Sequence, residues 1–175
     1  MNGERVLYVL RHAKSSWEEA TLRDHDRPLA ERGHVAVKAM AKYVAKQGIK
    51  PDLVLCSSAT RAQQTLHGIY DSVQPVIDSA LYGASAEEVI RRLRKVDAET
   101  RSVMVVGHNP TLQMLVLKLA AGEQRDRPHN SEGLAEIRHK LPTGALVTLS
   151  FPGEWGELSA KQATLVDYVR PKSLK

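Results

Sequence analysis

The chain has 175 residues, 42% of them apolar and 26% charged, the balance of a soluble globular protein that buries a core in one domain, taken as residues 1–175. Its formal charge is +5, which suits an acidic partner or a phosphorylated substrate; aromatics are only 5% and no RNA- or DNA-binding signature appears, so nucleic acid is not expected as a partner. The single cysteine, Cys56, excludes an internal disulfide and points to a reducing cytoplasm.

Residues 6–10 form a short apolar run that ends abruptly in Arg11-His12, and the run reads as a buried strand. Such a run is too short for a signal peptide and is closed by Arg11. Residues 11–28 read as a long polar loop. From 29 to 46 apolar residues (Val37, Met40, Ala41, Val44) recur at helical spacing, with Gly48 as the stop. Pro51 introduces a second buried strand at 53–56, and Ser57 or Ser58 is expected to cap a helix over 59–70.

A brief edge strand is predicted at 75–78. Ser85 with Glu88 makes a capping box for a helix to about residue 96. Residues 101–106 form a third apolar strand closed by Gly107-His108, after which Asn109 reads as N-cap and Pro110 as the first residue of a helix to 121. That last apolar stretch is interrupted by Lys118 and falls well below the ~20 residues a bilayer needs, so no membrane association is expected. Residues 122–132 are polar and read as a loop. Residues 145–151 and 163–169 alternate apolar and polar and read as strands around a turn at Pro152-Gly153.

Strand–helix alternation over the first 121 residues predicts an α/β fold: a three-layer sandwich with a mainly parallel central sheet flanked by helices. Three strand ends then deliver Arg11-His12, Cys56-Ser57-Ser58 and Gly107-His108. In open α/β sheets ligands bind beyond the carboxyl ends of strands, so these tips share one crevice. Arg61 stands one turn into a helix whose first N–H groups already favour anions. Two arginines and two histidines make a cradle for a tetrahedral dianion, in which a neutral imidazole can attack phosphorus. The cations are built in, so neither a metal nor a cofactor is expected.

The RHA at 11–13, SSATRAQQT at 57–65 and GHNP at 107–110 resemble the histidine phosphatase (phosphoglycerate mutase-like) superfamily. RHAKSSW and the DRPLAERG at 26–33 are similar to its small SixA-type phosphohistidine phosphatases, and the likeness continues through PTGAL at 142–146. The resemblance implies His12 as the phosphorylated nucleophile, with Arg11, Arg61 and His108 as the phosphate pocket and no metal. Lys14, Ser15 and Asn109 are candidate substrate-binding residues beside it.

Two departures stand out. Alanine, not the usual glycine, follows Arg-His, as in a SixA-like subgroup. Larger members also carry a glutamate general acid in the region that here reads Leu81-Tyr82-Gly83, where no acid stands. Asp24 and Asp26 are the candidate proton donors, with a capping or ion-pairing role as the plainer alternative. The missing glutamate is itself informative. A phosphohistidine expels an imidazole whose conjugate acid has a pKa of ~6.5, so it needs far less protonation than an alkoxide.

The expected function is therefore hydrolysis of a protein-bound phosphohistidine. A small phosphorylated metabolite is the alternative substrate, and a non-catalytic phosphoprotein-binding module is the alternative from another class. A cysteine phosphatase is disfavoured because Cys56 and Arg61 enclose four residues rather than five. The Asp24-His25-Asp26 run lacks metal-ligand spacing, and the basic stretch at 91–95 reads as a solvated face.

Overall fold

The computed structural model describes residues 3–120 and 128–174, with the backbone alone for 128 and 129. Its centre is a six-stranded sheet in the order β3-β2-β4-β1-β5-β6. The strands are β1 (Arg5–Arg11), β2 (Leu53–Ser57), β3 (Val76–Asp78), β4 (Ser102–Gly107), β5 (Leu146–Phe151) and β6 (Thr164–Val169). The helices are α1 (Glu31–Gln47), α2 (Thr60–Ile69), α3 (Ala86–Arg94), α4 (Thr111–Ala120) and α5 (Pro128–His139). β3, β2, β4 and β1 run parallel, whereas β5 lies antiparallel to both β1 and β6. The sheet is thus mixed, with its parallel part in the half that alternates strand and helix.

Strand periodicity explains the three layers. On β1, Leu7 and Val9 face one side and Leu10 the other; on β4, Val103 and Val105 oppose Met104 and Val106. The first side packs Val89, Ile90 and Leu93 of α3, the apolar stripe of α4, and Leu134 and Ile137 of α5. The second packs Met40 and Val44 of α1 and Ala62 and Leu66 of α2. Both faces of β1, β2 and β4 are covered, which is why these strands read as continuous apolar runs. Among the described residues no helix is long and apolar enough to cross a membrane.

The structure corrects three local readings. The polar stretch expected at 122–132 lies outside the described residues as far as 127, and from Pro128 it is α5, not loop. Leu134 and Ile137, both buried, hold α5 on the core, and Leu141 just past its end is buried with them. Ala59, not a serine, is the N-cap of α2; Ser57 Oγ instead accepts from the Ala59 N–H at 3.2 Å. α4 starts at Thr111 rather than Pro110, after a cis Asn109–Pro110 bond, and Asn109 Oδ1 accepts from the Gln113 N–H at 3.3 Å. The capping box at Ser85 and Glu88 forms as the sequence predicts.

Two glycines set how closely the loops pass the tip of β1. A Cβ on Gly33 would lie 2.2 Å from the Lys14 carbonyl oxygen, so only glycine lets the first turn of α1 pack on the segment after His12. Gly144 adopts φ +77°, and its N–H is shared by the carbonyls of Arg11 (3.1 Å) and His12 (2.9 Å).

Candidate active site

β4 lies between β1 and β2, so the three parallel tips are neighbours. The ladder extends one residue past β1: the His12 N–H donates to the Gly107 carbonyl at 3.1 Å. The ring centroids of His12 and His108 are 5.2 Å apart, and both residues are buried. Arg61 of α2 is also buried. The structure therefore brings together the four residues in which the sequence placed the chemistry.

The protonation of His12 follows from its neighbours. Nδ1 lies 2.7 Å from the Ala13 carbonyl oxygen, which can only accept, so Nδ1 carries the proton and Nε2 keeps its lone pair. Burial is the main force holding its pKa down to about 3; the Ala13 carbonyl opposes this, while His108, Arg61 and Arg11 reinforce it. The ring is neutral throughout the physiological range. Ala13 is itself fixed, since its N–H donates to Thr65 Oγ1 at 2.9 Å while that hydroxyl donates to the Arg61 carbonyl at 2.7 Å. One threonine thus ties the nucleophile loop to the helix that carries Arg61.

His108 is lowered to about 4, first by burial and then by Arg61. Its Nε2 lies 2.7 Å from Ser57 Oγ. Ser57 Oγ also accepts from the Ala59 N–H, and either partner can supply the proton shared between Oγ and Nε2. His108 Nδ1, like Arg11 Nε, is buried without a hydrogen-bond partner. The orphaned Arg11 Nε–H carries a desolvation penalty that an anion at the tips would relieve. Arg11 is held by one bond, Nη1 to the Leu141 carbonyl at 2.9 Å.

The loop between β1 and α1 closes the other side. Its organiser is Arg27, a buried cation with every donor group used: Nε to the Ser16 carbonyl (2.9 Å), Nη1 to Asp24 Oδ1 (2.9 Å) and Nη2 to Ser15 Oγ (2.6 Å). The exposed Trp17 ring covers its guanidinium at 3.2 Å. Asp24 Oδ2 accepts from Arg61 Nη2 at 2.9 Å and from the Tyr82 hydroxyl at 2.5 Å, and the Asp24 carbonyl accepts Arg61 Nη1 at 2.6 Å. Tyr82 stands edge-on to both His108 (5.4 Å) and His25 (5.0 Å).

These contacts revise the outer candidates. Asp24 was expected as a proton donor, but Tyr82, Arg61 and Arg27 hold its carboxyl well below the usual range, so it stays an ionised acceptor. Asp26 faces solvent and pairs with His25 and Arg23, which also lower it, and it does not join the cluster. Ser15 Oγ accepts from Arg27 Nη2 at 2.6 Å. Asn109 donates Nδ2 to the Leu141 carbonyl at 2.9 Å, the same oxygen that holds Arg11, so it positions that arginine. Lys14 is exposed and lines a neighbouring cleft that runs between α1 and α5. Cys56 is fully buried and its thiol is pushed up to about 12 by burial, which removes it as a nucleophile.

Sequence reasoning missed Tyr82, Ser57, Thr65 and Arg27. Ser57 and Thr65 lie inside the SSATRAQQT motif and carried a signal; Tyr82 stands where the absent glutamate drew attention away from the residue present. No group of three or more histidine, cysteine or carboxylate side chains able to hold a metal occurs among the described residues.

Comparison with known proteins agrees with this architecture. Residues 7–83 match the model of the histidine phosphatase superfamily (branch 1). An uncharacterised Mycobacterium tuberculosis protein is 34% identical over 164 residues, covering 93% of this chain and 100% of its own. The structure of a candidate phosphohistidine phosphatase SixA from Nakamurella multipartitia superposes with a TM-score of 0.83 at 33% identity, over 97% of both chains. A second, from Agrobacterium tumefaciens, gives 0.77 at 29% identity over 95% of this chain and 99% of that one. The chain belongs to the histidine phosphatase superfamily and, within it, to the SixA type.

Proposed function

We propose that the protein is a phosphohistidine phosphatase that acts on a phosphorylated histidine of another protein, through a phosphorylated His12. The observation that carries this is the placement of His12: its Nδ1 is held on the Ala13 carbonyl at 2.7 Å, which leaves Nε2 as the nucleophilic nitrogen of a buried ring 5.2 Å from that of His108, and burial lowers its pKa so that the ring is neutral. The Nε2 lone pair forms the new N–P bond as the bond to the leaving imidazole breaks, and the leaving ring takes its proton from water. Arg11, Arg61 and His108 meet the charge on the equatorial oxygens. Water then attacks phosphorus, phosphate leaves, and Nε2 recovers its lone pair. Asp24, the carboxyl beside Arg61, is held ionised and so is not poised as a donor. Such a site favours a leaving group of pKa ~6.5 over an alkoxide.

The test is turnover of phosphoramidate and of a phosphohistidine peptide beside an alkyl phosphate, with and without a chelator. The proposal expects 32P on the wild-type protein after brief exposure, none on His12→Ala, preference for the P–N substrates, and indifference to chelation. Equal kcat/KM on P–N and alkyl substrates would overturn the leaving-group assignment. Better turnover of small phosphate esters than of any phosphohistidine peptide would favour a metabolite as substrate.

A further inference from the structure

The cleft that Lys14 lines is not needed for the phosphate chemistry, yet it shares a wall with it. Pro142 and Thr143 border the cleft, and the next residue, Gly144, is the one bonded to the Arg11 and His12 carbonyls. A Cβ on Gly144 would meet Pro171 of the cleft at 2.8 Å on one side and lie 3.9 Å from Ala13 on the other. The cleft and the nucleophile loop are thus separated by a single glycine backbone.

The cleft has a volume of about 930 Å³ and an uneven charge. Lys14, Arg32, Lys140, Arg170 and Lys172 line it against one carboxylate, Glu136, which lies 3.9 Å from Arg170. All five cations are exposed. Among the described residues Lys14, Arg32, Lys140 and Lys172 pair with no carboxylate. The excess of cations here nearly equals the +5 of the whole chain. Tyr168, Pro142 and Pro171 add half-buried, largely apolar surface between the charges.

We propose that this cleft is the docking site for an acidic segment of the phosphorylated protein, engaged while its phosphohistidine enters the site at His12. Exposed cations spread over the segment after β1 (Lys14), α1 (Arg32), the turn between α5 and β5 (Lys140) and the C-terminal segment (Arg170, Lys172) match an extended row of carboxylates. They offer no buried charged group of the kind that would enclose one small anion. The apolar strip takes the intervening side chains, and the field steers an acidic partner towards the tips. The proposal rests on the phosphatase reading for its purpose, but the binding itself is measured separately.

Two labelled, unphosphorylated peptides serve as probes: a histidine flanked by glutamates, and the same peptide with glutamines. Anisotropy is read at low and raised salt for the wild type and for the combined Arg32→Gln, Lys140→Gln, Lys172→Gln variant; Lys140→Glu alone replaces it should the triple variant not fold. The expected result is wild-type binding of the glutamate peptide that weakens with salt, at least about tenfold weaker binding by the variant (about 1.4 kcal/mol), and weak binding of the glutamine peptide by both. With phosphorylated peptides the variant should raise KM for the acidic one and leave phosphoramidate turnover unchanged. Equal affinity for the two peptides, or undiminished binding by the variant, overturns the proposal. So does tight, variant-sensitive binding of tripolyphosphate without binding of the glutamate peptide. Wild type inert on phosphoramidate would remove the phosphatase reading while the anisotropy still decides the cleft.

Discussion

His12 and His108 stand on strand tips, each fixed by the sheet and by one short bond to a neighbouring group, whereas Asp24, Arg27 and Tyr82 come from connecting segments and are held to one another by charge. The first wall is positioned by backbone ladders that the apolar strands would form in any case. The second is held by side-chain bonds among Arg27, Asp24, Arg61 and Tyr82. Reactive nitrogens thus sit on the rigid side, and the adjustable side meets Arg61 and the space for a leaving group. This division predicts that substitutions on the tips act on chemistry with little loss of fold, and that loop substitutions act on stability and on Arg61.

The largest effect is expected at the nucleophile. His12→Ala should lower kcat by at least about 10³-fold and abolish phosphoenzyme, with little change in Tm. A variant that still becomes labelled would put the nucleophile elsewhere. Next comes Arg61→Ala, which removes a cation from the phosphate cradle and should lower kcat/KM about 10²–10³-fold. Asp24→Asn is the control that separates the walls. It weakens the partner of Arg61 without removing the guanidinium, so it should be much milder. Equal losses would mean that Arg61 works only through its contact with Asp24.

The tip wall was legible in the sequence and the loop wall was not, and the reason is physical. Arg11, His12 and His108 follow apolar runs that can only be buried strands, so their place at the sheet edge follows from pattern alone. Arg61 follows from the register of a helix start. Asp24, Arg27 and Tyr82 belong to segments without periodicity, and the choice of partners for an arginine in a polar loop is a three-dimensional matter. The neighbouring order Asp24-His25-Asp26-Arg27 allowed pairing of Arg27 with Asp26, whereas the 3₁₀ turn over Asp24–Asp26 hands Arg27 to Asp24 and leaves Asp26 to Arg23. α5 escaped for a related reason: three apolar residues in a polar stretch become a core face only once β6 is beside them.

Arg27→Ala tests whether the second wall is held as described. It removes one of the two buried arginines that hold Asp24 and leaves Ser15 and the Ser16 carbonyl without their donor, which should cost about 2 kcal/mol of stability, about 4–8 °C in Tm. Part of the activity should be lost through Arg61. Arg27→Lys should recover little, because a lysine cannot serve Ser15, Ser16 and Asp24 together. Unchanged Tm in both variants would show the wall to be held by other contacts.

The walls should also part company on acidification. His12 and His108 have folded pKa values below the unfolded value of ~6.5, so the unfolded chain takes up protons first and stability falls as pH drops from about 6.5 towards 4. Asp24 is likewise lowered, but its contribution is complete above the unfolded carboxylate value of ~3.9 and fades only below it. Urea midpoints between pH 7 and 4 should therefore flatten in His12→Asn and His108→Asn and keep their slope in Asp24→Asn. A slope that vanishes with Asp24 instead would place the acid-sensitive group on the loop.

The smallest effect is expected for Tyr82→Phe. Phenylalanine keeps the ring edge-on to His108 and removes only the hydroxyl that donates to Asp24. Arg27 and Arg61 still hold that carboxylate, so one net hydrogen bond of about 1 kcal/mol is at stake, and phosphoramidate turnover should fall less than about tenfold. Asp24 also keeps the Tyr82 phenol above its ordinary value, which makes it a weak acid. The ratio of P–N to alkyl phosphate turnover should therefore not move. A variant that keeps phosphoramidate activity but loses its residual alkyl phosphate activity would identify Tyr82 as the proton donor at the position where the larger relatives carry glutamate.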